Sequence, residues 1–314
     1  MNFESFKKYY EKVKPKEIEN SVQSSIVVSI CVVTFNHVNF IKKCLDGILM
    51  QQTNFDYEIL LGEDASTDGT REICIEYAKK YPSKIKLFLH HRENNISING
   101  SPTGRFNFLY NLYSAQGKYI ALCEGDDYWT DPYKLQKQVD FLEANPNFNI
   151  CFTNAYNLLQ NNELKLKEIP DISTNGVYTY DDLLEHYNFI TTASVVIRKK
   201  LNTIPNWFFK LPVGDLGLYL LICKTAKIKC LPDITTVYRI HNQGIWSSLS
   251  QIKQFEIYLL FYQAIFAELT TRQQEIVHLK QKYFIKKISH LKYNNNKLLV
   301  VFNRIILGLK YQLK

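Results

Sequence analysis

The chain has 314 residues, 46% hydrophobic and 22% charged, which is enough for a packed core and excludes global disorder. Its net charge of +8 is unevenly placed: nine Lys and Arg follow Glu275 with no acid among them, so the rest of the chain sums to −1 and the basicity is local. Seven cysteines without a Cys-x-x-Cys argue against a zinc site or disulfide framework, and the lack of a signal core or membrane-spanning run makes a cytosolic setting the expectation.

In chain order, residues 1–20 are rich in Lys and Glu and predict a peripheral helix broken at Pro15. Residues 26–34 (IVVSICVVT) read as a strand buried on both faces. Asn36 is placed to cap the next helix, whose apolar face is Ile41, Leu45, Ile48 and Leu49. A strand at 57–62 precedes a helix to Lys80, with Ser66 and Thr67 as caps and Asp68 at its positive end. A strand at 85–90, a polar loop at 91–104 and a helix over 106–115 follow. A strand at 119–124 is followed by a helix opened by Asp131 and Pro132, then by a strand at 150–156. Strands alternating with helices at this spacing predict an α/β fold with a mostly parallel sheet, whose ligand crevice lies beyond the strands' carboxyl ends.

Two of three such ends are acidic: Glu63-Asp64 and Glu124-Gly125-Asp126-Asp127. Adjacent carboxylates repel each other, and a divalent ion held with substrate phosphate relieves that cost. A turn with one solvated Asp is the other reading of Asp126-Asp127, as helix capping is for Ser66, Thr67 and Asp68. Capping requires neither Glu63 nor Asp64.

Val32-Val33-Thr34-Phe35-Asn36, then EDASTDGT, then EGDDYWTDP together resemble the family 2 glycosyltransferases over residues 26–155, with a thinner match reaching His241. Three positions depart from the family pattern. Val33-Thr34-Phe35 stands where a Pro usually precedes Tyr-Asn, and Glu63 and Glu124 replace the first acids of the second and third motifs. The resemblance implies a GT-A type fold: a mixed, mostly parallel sheet flanked by helices, with a helical C-terminal extension. It implies inverting, metal-dependent transfer of a sugar from a nucleotide diphosphate-sugar, UDP-linked by family habit, to an acceptor hydroxyl. By the same resemblance Asp64 holds the nucleobase, and Thr34 and Asn36 line the nucleoside pocket. Arg105 would contact the nucleotide, or else form a surface salt bridge. Asp126 and Asp127 match the metal-binding pair, for Mn²⁺ or Mg²⁺.

In the second half, residues 191–198 read as a strand, which in that family flanks the acceptor. Asp215 is either a helix N-cap or the family's catalytic base. Inversion needs a carboxylate on the acceptor side to take the hydroxyl proton, across the pocket from the metal that stabilises the departing diphosphate. His241, in Tyr238-Arg239-Ile240-His241, matches a segment where a His approaches metal or diphosphate; a structural hydrogen-bonder is the other reading. Arg239 would pair with phosphate or a core carboxylate, and Trp207 and Trp246 fit core packing better than sugar stacking.

Residues 251–267 predict an aromatic-rich helix. Beyond Thr271 the chain stays helical and turns basic, with Leu298, Phe302, Ile306 and Leu309 at helical spacing beside Lys297, Arg304 and Lys310. That segment either docks on the catalytic domain with a solvated Lys face or lies on anionic lipid, which suits a lipid-linked glycan acceptor in cell-surface polysaccharide synthesis. No nucleic-acid motif accompanies the charge. The expected division is an N-terminal extension (1–25), a catalytic domain (26–247, split near 155 into nucleotide-sugar and acceptor halves) and a basic helical segment (248–314). Sugar nucleotidyltransferases and Rossmann dehydrogenases are discounted for the missing glycines after the first strand. A non-catalytic glycan-binding or scaffold protein of the same fold remains the alternative.

Overall fold

The computed structural model describes residues 1–98, 100–172, 175–201, 203–293 and 297–311, without the side chains of residues 297 and 298. Seven strands build the central sheet: β1 Val28–Thr34, β2 Tyr57–Glu63, β3 Ile85–Leu89, β4 Tyr119–Glu124, β5 Phe148–Leu158, β6 Val196–Arg198 and β7 Lys227–Arg239. Their spatial order is β3-β2-β1-β4-β6-β5-β7. Neighbours from β3 to β4 are parallel, as are β5 and β7, while β6 runs antiparallel to both β4 and β5. Every long strand therefore delivers its carboxyl end to one edge, where the acidic segments sit. Short pieces extend the sheet, with Lys16–Glu17 beside β3 and Tyr128–Trp129 against β7.

The helices are α1 Phe3–Tyr10, α2 Ile41–Leu49, α3 Thr70–Lys80, α4 Arg105–Ser114, α5 Lys134–Ala144, α6 Tyr180–His186, α7 Gly214–Cys223, α8 Gln251–Ile265, α9 Thr271–Tyr293 and α10 Lys297–Lys310. Alternation along the strands sends side chains to two cores. Ile30 and Val32 of β1 pack under α2, α3 and α5 with Leu45, Cys74, Leu135 and Val139. Cys31 and Leu60 point the other way, into a core that runs from Phe6 of α1 through Phe106, Leu218 and Phe261 to Phe284 of α9. The architecture is the mixed α/β sheet with a helical C-terminal region that the sequence predicts. All seven cysteines are free, six of them buried.

Several local expectations differ. The N-terminal helix is not peripheral: Phe6 is fully buried, stacked on Phe106 with ring centroids 5.2 Å apart, and the Met1 ammonium donates to the Ile204 carbonyl at 2.6 Å. Asn36 does not cap α2, which begins after Phe40; it sits at φ 53° and binds across to the next strand's loop. Ser66 and Thr67 do not cap α3 either. The helix starts after Gly69, at φ 103°, and Asp68 Oδ1 accepts the Thr70 N–H at 3.0 Å. The Asn36 and Ser66 side chains accept backbone N–H groups of the neighbouring strand end rather than those of their own helices. The 91–104 stretch contains a single turn at Arg92–Asn94 and a small hairpin, Ser97–Ile98 with Ser101–Pro102.

Candidate active site

The ends of β1 and β2 are tied together by reciprocal bonds. The Asn36 N–H donates to Ser66 Oγ at 2.9 Å, the Thr67 N–H to Asn36 Oδ1 at 3.0 Å, and the His37 N–H to Thr70 Oγ1 at 2.7 Å. Glu63, fully buried, accepts the Ser66 N–H at 2.5 Å and Arg71 Nε at 2.5 Å, so it serves the scaffold. Asp64 is treated differently. Its Oδ2 accepts Arg92 Nη1 at 2.7 Å and Asn95 Nδ2 at 3.2 Å, while Oδ1 is buried without a partner. Burial, only partly offset by Arg92 and Asn95, pushes this carboxyl up to about 6. The Arg92 guanidinium also lies 4.0 Å from the centre of the Phe35 ring, a flat cation-aromatic surface beside the free oxygen. Thr34 adds a second buried, unpartnered polar atom, its Oγ1.

The acidic turn after β4 presses against this wall. A Cβ on Gly125 would lie 2.6 Å from Thr34 Oγ1 and 3.0 Å from His37 Nδ1, so only glycine permits the approach. The turn separates its two aspartates. Asp127 is 1% exposed, with Oδ1 accepting the Arg239 N–H at 2.9 Å and Oδ2 unpartnered. Asp126 Oδ2 lies 3.0 Å from His241 Nε2 and 3.8 Å from His37 Nε2. Burial opposes the charged form of Asp126, yet the His241 hydrogen bond and the His37 charge hold it below the ordinary aspartate range. Asp127 goes the other way, raised by burial and then by Asp126 and Glu124. Glu124 is pushed up to about 8, first by burial and then by Asp126 and Asp215, and its Oε2 has no partner.

These groups fit a divalent cation. Asp126 and His241 offer converging O and N donors, and unsatisfied carboxylate oxygens lie beside them. Mg²⁺ and Mn²⁺ accept such sparse protein ligation when phosphates and water complete the shell. Among the described residues no three acidic, His or Cys side chains already form a closed metal cluster.

Asp215 lies inside the first turn of α7, whose N-cap is Val213; the N-cap role therefore falls away. Its Oδ2 accepts from Asn188 Nδ2 and, at 3.1 Å, from Thr192 Oγ1, and its Oδ1 accepts the Leu216 N–H at 2.8 Å. A carboxylate has about four lone-pair sites, so room for one more donor remains. Arg105 stands behind this helix rather than on the surface. It is 6% exposed, donates to the Phe208 and Leu211 carbonyls at 3.3 and 2.9 Å, and would lie 2.9 Å from a Cβ on Gly214. Its surface salt-bridge reading is thus replaced by a bracing role, with both side-chain hydrogen bonds going to the segment before α7. The Arg239 guanidinium donates to the Asp126 carbonyl, not to a core carboxylate, and lies over the Tyr128 ring, 4.5 Å from its centre. Trp246 packs edge-on to Tyr258 at 5.3 Å, and Trp207 beside Phe208, as core residues.

Sequence reasoning missed several members of the cleft. Asn188 and Thr192 orient Asp215, and Arg92 and Asn95 orient Asp64. Lys167 brings its ammonium under the influence of Asp215, Asp127 and Glu124, which resist the downward effect of burial; it stands at about 8. The Tyr219 hydroxyl is buried in the same neighbourhood, its pKa raised by burial and then by Asp215 and Glu124. No motif surrounds Lys167 in the sequence, where it follows an exposed Leu-Lys-Leu strand. Its place depends on the Leu164–Leu166 strand folding back on β5, which no short-range signal announces.

A family model described as Glycosyl transferase family 2 matches residues 29–204. An uncharacterised protein of Mycobacterium tuberculosis is 38% identical over 221 residues, covering 70% of this chain and 61% of its own length, so the chain's match spans about three-fifths of that relative. The UDP-Glc:alpha-D-GlcNAc-diphosphoundecaprenol beta-1,3-glucosyltransferase of Escherichia coli is 28% identical over 224 residues, covering 71% of this chain and 80% of its own. In structure, the mannosyltransferase of Pyrobaculum calidifontis in complex with GDP-Man and Mn²⁺ aligns with a TM-score of 0.56 at 14% identity. It covers 98% of this chain and 88% of its own, a likeness of fold.

Proposed function

This chain belongs to glycosyl transferase family 2, and from that membership we propose that it transfers a sugar, with inversion, from a nucleotide diphosphate-sugar to a hydroxyl of a glycan or lipid-linked glycan acceptor in cell-surface polysaccharide synthesis. The observation that carries the reading is the pairing of Asp126 and His241, 3.0 Å apart beyond the carboxyl end of the sheet, with Asp215 near enough to raise Glu124 and keeping one accepting site. The relative that uses UDP-Glc and a diphosphoundecaprenol acceptor supports the donor and acceptor classes, and the neighbour with GDP-Man and Mn²⁺ supports the metal. Residues 26–247 would form the catalytic unit, with residues 1–25 and 248–314 as extensions. The enzyme would work at the cytoplasmic face of a membrane; no helix among the described residues is long and apolar enough to cross one.

Asp64 Oδ1 accepts the uracil N–H, Phe35 and Arg92 cover the base, and Thr34 and Asn36 form the wall of the nucleoside pocket. Asp126 and His241 would hold a divalent cation, with Asp127 setting the turn by its bond to the Arg239 N–H. A bound divalent cation supplies electrostatic stabilisation of the departing diphosphate. Asp215, oriented by Asn188 and Thr192, takes the proton of the attacking hydroxyl. Arg105 fixes the start of α7 from behind and thereby the position of Asp215.

Nucleotide diphosphate release from UDP-, GDP- and dTDP-sugars, with Mn²⁺ or with EDTA, tests the reading. Metal-dependent release from one donor is expected. Asp215→Asn should lower kcat by about 10²- to 10⁴-fold while donor affinity is unchanged. No release and no calorimetric binding of any donor would leave the non-catalytic scaffold in its place.

A further inference from the structure

α10 points its apolar side outward. The face packed on α9 consists of Val300, Asn303, Leu307 and Tyr311, and Asn303 Nδ2 donates to Ser289 Oγ at 2.9 Å. On the opposite side Phe302 is 63% exposed, Ile305 58% and Leu309 75%, with Leu299, Val301 and Ile306 exposed around them. The docked-helix expectation, in which the Phe302, Ile306 and Leu309 stripe covers the domain, is therefore reversed. The side chains of Lys297 and Leu298 in that expectation lie outside the described residues. At 100° per residue, Arg304 and Lys310 fall on the two flanks of the exposed apolar arc. α9 adds exposed Leu279, Tyr283, Lys286 and Lys287 on its own outer side. Contiguous exposed apolar surface of this kind marks an interaction site.

We propose that the α9–α10 hairpin docks the chain on an anionic lipid surface, with α10 lying flat and its Phe302–Ile305–Leu309 face in the headgroup boundary. At 14 residues α10 is about 21 Å long, too short to span a bilayer core of about 30 Å. An apolar arc flanked by cations, on a segment with no acid after Glu275, is complementary to an apolar layer under negative headgroups. A second copy of the chain is disfavoured by the same charges. A two-fold contact would place Arg304, Lys310 and the α9 lysines against an identical basic surface.

The hairpin is attached to the acceptor side of the cleft. Gln273 at the start of α9 donates to Asp181 of α6 at 3.1 Å, and Phe284 packs 5.1 Å from the Tyr187 ring. Tyr187 directly precedes Asn188, which holds Asp215. Docking would thus bring the acceptor wall to the lipid, and in that respect it rests on the sugar-transfer reading above.

Co-sedimentation of the full chain with vesicles decides the matter. The wild type should pellet with vesicles of equal parts phosphatidylglycerol and phosphatidylcholine, far less with phosphatidylcholine alone, and less as salt rises. Phe302→Glu with Leu309→Glu should abolish pelleting with an unchanged melting temperature, since both side chains are exposed. Arg304→Glu with Lys310→Glu should weaken it by about tenfold or more. No pelleting with either vesicle, or pelleting indifferent to both double variants, overturns the proposal. So does a dimer in light scattering that Phe302→Glu with Leu309→Glu dissociates while vesicles are ignored. Metal-dependent donor hydrolysis is read on the same preparations. Lost vesicle binding with hydrolysis intact bears on docking alone, and absent hydrolysis with vesicle binding intact bears on sugar transfer alone.

Discussion

Glu63-Asp64 and Asp126-Asp127 are both adjacent acid pairs at the ends of parallel strands, and the fold divides each in the same way. One acid of each pair goes to the scaffold: Glu63 to Arg71 and the Ser66 N–H, Asp127 to the Arg239 N–H. A buried oxygen without a partner remains on Asp64 and on Asp127 itself. The pairs differ in what neutralises them. At Glu63-Asp64 two arginine side chains, Arg71 and Arg92, lie on the carboxylates themselves. At Asp126-Asp127 the nearest basic groups are His241 and His37, and the Arg239 guanidinium is spent on a backbone carbonyl. Glu124 adds a third carboxyl there. The first pair is matched by two guanidinium groups, whereas among the described residues no Arg or Lys side chain forms an ion pair with the second.

The largest expected effect separates the two aspartates of the turn. Asp126→Ala should lower metal-dependent nucleotide diphosphate release by about 10³-fold with an unchanged melting temperature. Asp127→Ala should instead lower the melting temperature, because it leaves the buried Arg239 N–H unpaired. Equal losses of turnover with equal stability would erase the distinction drawn within this pair.

Glu63→Gln is next. Breaking a buried ion pair whose partner is partly exposed should cost about 3 kcal/mol of unfolding free energy, read by denaturant titration. Turnover at low temperature should persist. A stable variant with no turnover would place Glu63 in the chemistry and break the parallel with Asp127.

Asp64→Asn should weaken UDP binding by about tenfold, measured by calorimetry. The pH dependence sharpens this. The Asp64 carboxyl stands near 6 rather than the usual 3.8, so the folded state binds its proton more readily than the unfolded chain does. Its contribution to stability is present below about pH 4 and is lost as pH rises through 6. UDP affinity should run the opposite way, rising through pH 6 as the accepting carboxylate forms, and Asp64→Asn should flatten that rise.

The strands were legible because doubly buried β-branched runs such as residues 26–34 announce themselves, and strand 119–124 begins and ends where its sequence predicts. Caps were not. Asn36, Ser66 and Thr67 are good cap residues by type, but adjacent strand ends offered them partners closer than the helices. Asp64, Asp126, Asp215 and His241 stood out because a short motif carried each, whereas Arg92, Lys167 and Asn188 lie on connections whose course depends on distant packing.

The sequence by itself determined the alternation of strands and helices, the acidic strand ends and the basic tail, since each rests on neighbours within a few residues. Only the tertiary structure decided which acid of each pair binds the scaffold, that Arg105 braces α7 from inside, and that α10 turns its apolar stripe away from the protein. Those outcomes depend on which surfaces meet across long stretches of chain, and a helix with two apolar faces carries no local instruction about which one to bury.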